Sequence, residues 1–392
     1  MKSTSIYKSL LALAAPCLLA ACSSDANEPT PIVEENEGIV LNIPTVELTR
    51  TRATEGGTEV PSDTEATIKS LTVFAFPQNN KGTKAVYTMS SSELNSINIA
   101  KNGYKPVPVK LKAGQYHIYV VANLSYSQLT YPAMGSTAVS SFDDVTETGL
   151  QNASLNSTIS APGTIPSTGI PMSADYDVLK PSANGSAFTN GLVEIKSGES
   201  TSVYADLTFC MAKLRFTMLN GNTPDIEMAE INPVQLVDYP TTIGLMKDVA
   251  SLAAGSNSLT ISSSAKPLSG KLYKYPVTGN TADKDWTVTD LTTDKPADSK
   301  QWAWQGTWYI PEHIFASGKD AKKSSLKIGF NIPTTDRTLE IGKDNKVERS
   351  NVYDVLGYIQ KKEVVLEVRV KAWTYHKNVY DLDEEGNVTP AN

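Results

Sequence analysis

Residues 117–122 read His-Ile-Tyr-Val-Val-Ala and follow the turn-forming residues Lys112-Ala113-Gly114. The run is apolar, rich in β-branched and aromatic side chains, and ends at Asn123. A short apolar run between turn signals is typical of a strand that is buried on both faces. We therefore predict a central strand of a β-sheet at this position.

Similar runs recur along the chain, whereas helical periodicity is rare. They cover Leu71–Phe76, Ser202–Phe209, Lys213–Met218, Leu326–Ile332 and Val364–Trp373. Residues 126–168 are rich in small and polar residues and indicate loop with short helical pieces, and residues 279–300 indicate a second loop. The pattern predicts an all-β fold of two tandem β-sandwiches with a boundary near Phe209.

Composition sets limits on function. The 392 residues are enough for two domains, each with its own core. A net charge of −7 without a basic run argues against binding to nucleic acid or to an anionic membrane surface. Cys17 and Cys22 lie in the leader, so Cys210 is the only thiol of the body, and we expect it to be a buried apolar residue.

The leader carries an export signal. Lys2 and Lys8 flank a polar start, and an apolar run from Leu10 ends in Leu19-Ala20-Ala21-Cys22. The run is shorter than the ~20 residues of a membrane-spanning helix. It matches the lipobox of a bacterial lipoprotein, which predicts a signal peptide over residues 1–21 and lipidation at Cys22. The alternative is an ordinary cleaved signal in which Cys22 is incidental.

A second processing signal follows in Thr49-Arg50-Thr51-Arg52-Ala53. A trypsin-like protease that cut here would detach the lipid anchor, so residues 22–52 are predicted to form a propeptide. Immediately before this site lies an alternating stretch typical of a strand. Its apolar residues are Ile39, Leu41 and Ile43, followed after Pro44 by Val46 and Leu48 in the other phase.

The C-terminal region contains a strongly amphipathic strand pattern. Its apolar face is formed by Val364, Leu366, Val368 and Val370, and charged residues alternate with them up to Trp373. The strand could pair with another subunit, or it could be the last strand of its own sandwich. In the latter case a pairing segment could begin after Trp373 and use Val379, Tyr380 and Leu382.

Several local motifs, in order along the chain, resemble FimA/Mfa1-type fimbrillins, the subunits of the type V pili of Bacteroidales. These motifs are Arg52-Ala53 after a lipobox leader, Pro171-Met172-Ser173, Ala212-Lys213-Leu214-Arg215-Phe216, Trp308-Tyr309-Ile310-Pro311-Glu312-His313 and Arg349-Ser350-Asn351-Val352-Tyr353-Asp354-Val355. The last motif departs from the family pattern, because Ser350 separates the arginine from the asparagine.

The resemblance implies two transthyretin-like β-sandwich domains, here residues 53–209 and 210–392. It implies an outer-membrane lipoprotein precursor that an arginine-specific protease cuts, best at Arg52-Ala53 and second at Arg50-Thr51. Cleavage would remove the strand Ile39–Leu48, and a C-terminal strand within Val364–Leu382 of a neighbouring subunit would replace it. The expected partners are copies of the chain, other pilus subunits and the maturation protease, in a fimbrium on the cell surface that supports adhesion.

No motif predicts an active site or a cofactor. The three histidines are far apart, and neither a nucleophile elbow nor a phosphate-binding loop is present. The acidic stretch Asp381–Gly386 is an incomplete calcium loop, so no metal is expected. Alternatives to a shaft subunit are a minor tip or adhesin subunit, a membrane anchor, and a glycan-binding surface lipoprotein whose tryptophans Trp302, Trp304 and Trp308 would form a sugar platform.

Overall fold

The computed structural model describes eighteen segments of the chain. They are residues 37–45, 58–59, 61–62, 64–100, 103–156, 165–220, 231–239, 242–246, 257–260, 271–274, 289–290, 302–314, 325–330, 337–340, 346–360, 363–373, 380–382 and 388–390.

Strands dominate these segments, in agreement with the predicted all-β fold. The strands of the first half are β1 (Gly38–Pro44), β2 (Thr58–Glu59), β3 (Ser70–Pro77), β4 (Ala85–Ser90), β5 (Tyr104–Lys110), β6 (Gly114–Ala122), β7 (Leu129–Thr130), β8 (Ser154–Asn156), β9 (Met172–Ala174), β10 (Leu192–Ile195), β11 (Ser200–Tyr204) and β12 (Thr208–Phe209). Those of the second half are β13 (Met211–Asn220), β14 (Ile231–Tyr239), β15 (Thr242–Gly244), β16 (Asn257–Thr260), β17 (Lys271–Lys274), β18 (Thr289–Asp290), β19 (Trp302–Pro311), β20 (His313–Ile314), β21 (Ser325–Phe330), β22 (Arg337–Glu340), β23 (Lys346–Val347), β24 (Asn351–Gln360), β25 (Glu363–Trp373), β26 (Tyr380–Leu382) and β27 (Val388–Pro390).

The helical elements within the described segments are short. They are α1 (Ser91–Ser96), α2 (Glu147–Gln151) and single 3-10 turns at Tyr126–Gln128, Pro132–Met134, Phe142–Asp144, Tyr176–Val178 and Thr189–Gly191. The Ser90 hydroxyl and the Glu93 carboxylate form a capping box at the start of α1. Four of these elements lie between 126 and 168, where the sequence predicts loop with helical pieces.

Two sheets of the first half share one hydrophobic core. The six-stranded sheet has the order β12-β9-β6-β3-β4, with β10 also paired to β6, and the three-stranded sheet has the order β11-β1-β5. Residues of both sheets belong to the same buried cluster. β6 lies between β3 and β9, and Ile118 to Ala122 are at most 1% exposed. The prediction of a central strand at 117–122 is therefore confirmed.

The second half is built on a seven-stranded sheet of order β18-β17-β19-β13-β24-β25-β2 and a four-stranded sheet of order β16-β14-β21-β22. In the larger sheet β13 is antiparallel to β19 and parallel to β24. Arg215 on β13 donates to the Asp354 carboxylate on β24 with both Nε and Nη2, which fixes the pairing of these strands.

The chain passes from the six-stranded to the seven-stranded sheet at Cys210, between β12 and β13. Cys210 is fully buried, and this burial raises the pKa of its thiol, so the prediction of a buried apolar cysteine is confirmed. The predicted run Ser202–Phe209 is two strands, because Ala205–Leu207 lie between β11 and β12. The division into two domains stays a prediction: β2 pairs with β25 and β15 pairs with β8, so both halves contribute to shared sheets.

Candidate strand-exchange groove

β1 occupies the centre of the three-stranded sheet. It runs antiparallel to β5, from Gly38 opposite Lys110 to Pro44 opposite Tyr104. It runs parallel to β11, from Gly38 opposite Ser200 to Asn42 opposite Tyr204. The first strand of the described chain therefore lies between two strands that do not pair with each other in this sheet.

The inward side chains of β1 complete the core. Ile39, Leu41 and Ile43 are 2%, 0% and 2% exposed and belong to the buried cluster. At ~1.5–3 kcal/mol for each buried side chain, their transfer from water contributes about 5–9 kcal/mol before ordering costs. This face reproduces the alternation predicted for Ile39, Leu41 and Ile43.

The other face of β1 carries a polar contact that the sequence analysis missed. The Asn42 amide donates to Ser202 Oγ at 2.9 Å, to the Val40 carbonyl at 3.1 Å and to the Val203 carbonyl at 3.4 Å. Beyond it, Tyr104 of β5 and Tyr204 of β11 meet edge to face with ring centroids 5.0 Å apart. A polar residue within an apolar alternation was the only signal for this contact in the sequence.

The start of β1 fixes its register against β5. Gly38 has φ of +151°, and a Cβ at this position would lie 2.2 Å from the Val109 carbonyl oxygen. Just before it, the Glu37 carboxylate accepts a hydrogen bond from the Ala113 N–H at 2.6 Å. Because only glycine fits here, β1 cannot slide by one residue without a clash.

Main-chain hydrogen bonds join β1 to both neighbours. The Leu111 N–H donates to the Glu37 carbonyl at 3.4 Å, and on the other side the Gly38 N–H donates to Glu199 and the Ala205 N–H to Asn42. Without β1, β5 and β11 would each present a row of unpaired main-chain groups above an open core. Such a groove can bind an extended strand whose alternate side chains are apolar.

Several residues predicted to act with this strand lie outside the described residues. These are the lipidation site Cys22, the apolar residues Val46 and Leu48, and the cleavage residues Arg50, Arg52 and Ala53. Their roles stay predictions. Described residues resume at Thr58, where β2 lies parallel to the end of β25.

The main donor candidates all lie in β25. They are Val364, Leu366, Val368, Val370 and Trp373. This strand pairs with β24 along its length, from Glu363 opposite Gln360 to Ala372 opposite Asn351. The structure thus places the amphipathic strand in a sheet of its own subunit, which is the alternative left open by the sequence. Of the second donor segment, Tyr380 and Leu382 lie in β26, which pairs with β27 in a separate hairpin, and Val379 lies outside the described residues.

A buried ion pair ties the segment after the predicted cleavage site to the seven-stranded sheet. Glu65 Oε1 lies 2.9 Å from Lys213 Nζ on β13 and accepts a hydrogen bond from the Tyr309 hydroxyl at 2.7 Å. The Ser62 N–H donates to Glu65 Oε2 at 2.8 Å. Burial alone would raise the pKa of Glu65, but Lys213 and these hydrogen bonds together hold it below its usual value.

The tryptophan and histidine candidates from the sequence make structural contacts. Trp308 is 2% exposed and part of the core, so it cannot stack on a sugar at the surface. His117 Nδ1 lies 2.8 Å from Glu147 Oε1, which also accepts from the Tyr119 hydroxyl. Within the described segments, no group of three or more potential ligands could hold a metal ion. Among the same residues, no helix is long and apolar enough to cross a bilayer.

The described structure is all-β, and its first described strand, β1, lies at the centre of a three-stranded sheet between β11 and β5. The family model of the major fimbrial subunit protein (FimA) matches residues 39–229, a range that begins at the second residue of β1. This match confirms the predicted resemblance to FimA-type fimbrillins. It supports a role as a subunit of a fimbrium at the cell surface.

Solved structures of fimbrial proteins match most of the chain at low sequence identity. The tip fimbrial protein Mfa3 of Porphyromonas gingivalis, with a C-terminal truncation, is 15% identical with a TM-score of 0.45, over 86% of this chain and 99% of that one. A fimbrial assembly protein of Parabacteroides distasonis is 14% identical with a TM-score of 0.42, over 85% and 97%. The fimbrial anchor protein Mfa2 of P. gingivalis is 11% identical with a TM-score of 0.38, over 87% and 99%. No curated protein sequence matches the chain.

Proposed function

We propose that this fimbrillin is a shaft subunit that polymerises by donor-strand exchange. It is exported as an outer-membrane lipoprotein with the lipid on Cys22. An arginine-specific protease cuts at Arg52-Ala53, with Arg50-Thr51 as the second site. β1 then leaves, and a C-terminal strand of a neighbouring subunit takes its place.

The central position of β1 carries this proposal. An edge strand could leave a sheet without opening the core, but β1 is bonded on both sides and supplies three buried side chains. It is also joined to the rest of the chain through the segment that holds Arg50 and Arg52. One cut there converts an internal strand into a separate peptide, whose retention then depends on non-covalent contacts alone.

The donor must carry apolar residues at the spacing of Ile39, Leu41 and Ile43. Val364, Leu366 and Val368 have this spacing, but they must first leave β24. A donor after Trp373 would leave the seven-stranded sheet intact. We therefore keep the whole predicted donor region, Val364–Leu382, and use truncations to divide it.

The test is cleavage of the chain lacking residues 1–22 with an arginine-specific protease, followed by an unboiled denaturing gel. Strand exchange gives a ladder of multimers that is absent from Arg50→Ala/Arg52→Ala. Truncation after Thr374 removes the tail and keeps β25, so loss of the ladder places the donor in the tail. A ladder that survives this truncation, but not truncation after Glu363, places the donor in β25. Complete cleavage with only monomers would refute the shaft role.

An accessory tip subunit is the second candidate, and the full pairing of β25 with β24 favours it. A tip subunit needs the groove but no free donor strand. Cleaved chain that accepts a strand from other subunits without forming a ladder by itself would identify this role.

A further inference from the structure

The two long edges of β5 differ in their hydrogen-bonding groups. Main-chain groups of a strand alternate between its two sides. The Leu111 N–H donates to the Glu37 carbonyl, so the odd-numbered groups of this segment face β1. Lys105, Val107 and Val109 each carry an N–H on that inner side.

The main-chain groups of the even-numbered residues of β5 face away from β1, and two of these residues are prolines. Pro106 lies opposite Asn42, and Pro108 lies opposite Val40, in pairs without mutual hydrogen bonds. Proline has no N–H, so neither residue offers a donor on the outer edge. Within the described segments β5 pairs only with β1, so no described strand lies beside this outer edge.

Other features also obstruct the outer edges of the sheet. The Tyr104 carbonyl on the outer side of β5 already accepts the Ala100 N–H at 2.7 Å, and the exposed Lys110 adds charge at the other end. On the far side of the sheet, Tyr204 of β11 exchanges two hydrogen bonds with Lys180, at 2.7 and 3.1 Å. Prolines, lysines and a covering segment are among the means by which proteins keep sheet edges from pairing.

We propose that Pro106 and Pro108 are specificity determinants that close the outer edge of β5 to a strand of a second copy. They leave the inner edge of β5, which β1 covers, as the edge with a complete row of donors. Strand addition to this sheet is thereby confined to the position of β1. The closure acts in the uncleaved chain as well, so it does not rest on strand exchange.

The test compares self-association of uncleaved chains, with Cys22→Ser in every protein to remove the lipid. In Pro106→Thr/Pro108→Thr, the threonines restore both N–H groups, favour strands and add little apolar surface. Pro132→Thr is the control, because Pro132 is exposed and begins a 3-10 turn outside the sheets. Circular dichroism and thermal melting verify that each variant is folded.

Sedimentation velocity should show that the double variant associates about 30-fold more strongly than the unsubstituted chain, as expected for two added hydrogen bonds of ordinary net strength. The Pro132→Thr chain should remain as monomeric as the unsubstituted one. Hydrogen exchange should show protection of the new amides at 106 and 108 in the dimer. A folded double variant that stays monomeric, or one whose new amides exchange freely in the dimer, would overturn the proposal.

A single Pro108→Thr variant covers the case in which the double variant does not fold, because Pro108 is exposed. It restores one donor, and its expected gain in association is about fivefold. No gain in this folded variant would count equally against the closure. Failure of the cleaved chain to form a ladder would leave this result untouched, so the two proposals fail separately.

Discussion

Replacing Leu41 by alanine is expected to weaken the retention of β1 after cleavage without affecting the mature subunit. Leu41 is completely buried at the middle of β1. Truncating a buried leucine to alanine costs about 2–5 kcal/mol, and a value near 3 kcal/mol corresponds to about 150-fold weaker binding of the strand. Under the proposed maturation Leu41 would leave with the propeptide, so the cost would fall on the precursor alone.

The assay follows β1 with a fluorophore on the propeptide and records its loss from protease-cut protein under dilution. Val40→Ala is the matched control, since Val40 lies next to Leu41 on the partly exposed face of the same strand. Leu41→Ala should release the labelled peptide about two orders of magnitude faster than Val40→Ala if the lost binding energy appears in the dissociation rate. Equal release from the two variants would refute the view that burial of this face holds β1 in place.

Three further predictions concern stability and are measured by denaturant unfolding of the uncleaved chain. Lys213→Met should destabilise it by about 3–5 kcal/mol, because Glu65 is left as a buried charge, and Glu65→Gln/Lys213→Met should recover part of the loss. The pKa of Glu65 is lower in the folded than in the unfolded chain. The contribution of its ionised carboxylate to stability is therefore complete above pH 4.5 and is lost as the pH falls below that value. This pH dependence should be absent from the double variant. Gly38→Ala should lower stability by more than the ~1 kcal/mol typical of a point mutation, because the new Cβ would meet the Val109 carbonyl. Gly135→Ala is the control: a Cβ there has no atom within 4 Å, so it tests the backbone cost alone. Asn123→Ala should cost about 2–4 kcal/mol, because this buried side chain forms hydrogen bonds with the main chain at Lys69, Thr67 and Ile170. A loss below 1 kcal/mol would contradict the role of Asn123 as a link between these segments.

Local patterns in the sequence predict the individual strands well where apolar residues dominate. The runs at Leu71–Phe76 and His117–Ala122 both lie inside observed strands, because buried strands of this fold are continuous apolar stretches. The same reasoning missed β5, since Pro106 and Pro108 are turn signals in a sequence. They lie on the edge of β5 that no other described strand covers, which explains why a strand tolerates them, and that edge is visible only in three dimensions.

The partners of each strand were beyond the reach of sequence patterns. Alternation at Ile39, Leu41 and Ile43 indicates a strand, but not that Ser200–Tyr204 lies beside it. The link between Glu65 and Lys213 likewise joins residues that no local motif relates. Conversely, the alternation at Val364–Val370 suits either a donor strand or an internal strand, because both bury one face.

The orientation of β1 has a consequence for the shape of an assembly. β1 is antiparallel to β5 and parallel to β11, and the glycine at its start fits only one direction and register. A strand that replaced it through the same contacts would enter with the same direction in every subunit. Each junction would then be heterologous, so a row of subunits would have two chemically different ends. Unless the rotation between successive subunits closed a ring, it would grow as a polar filament.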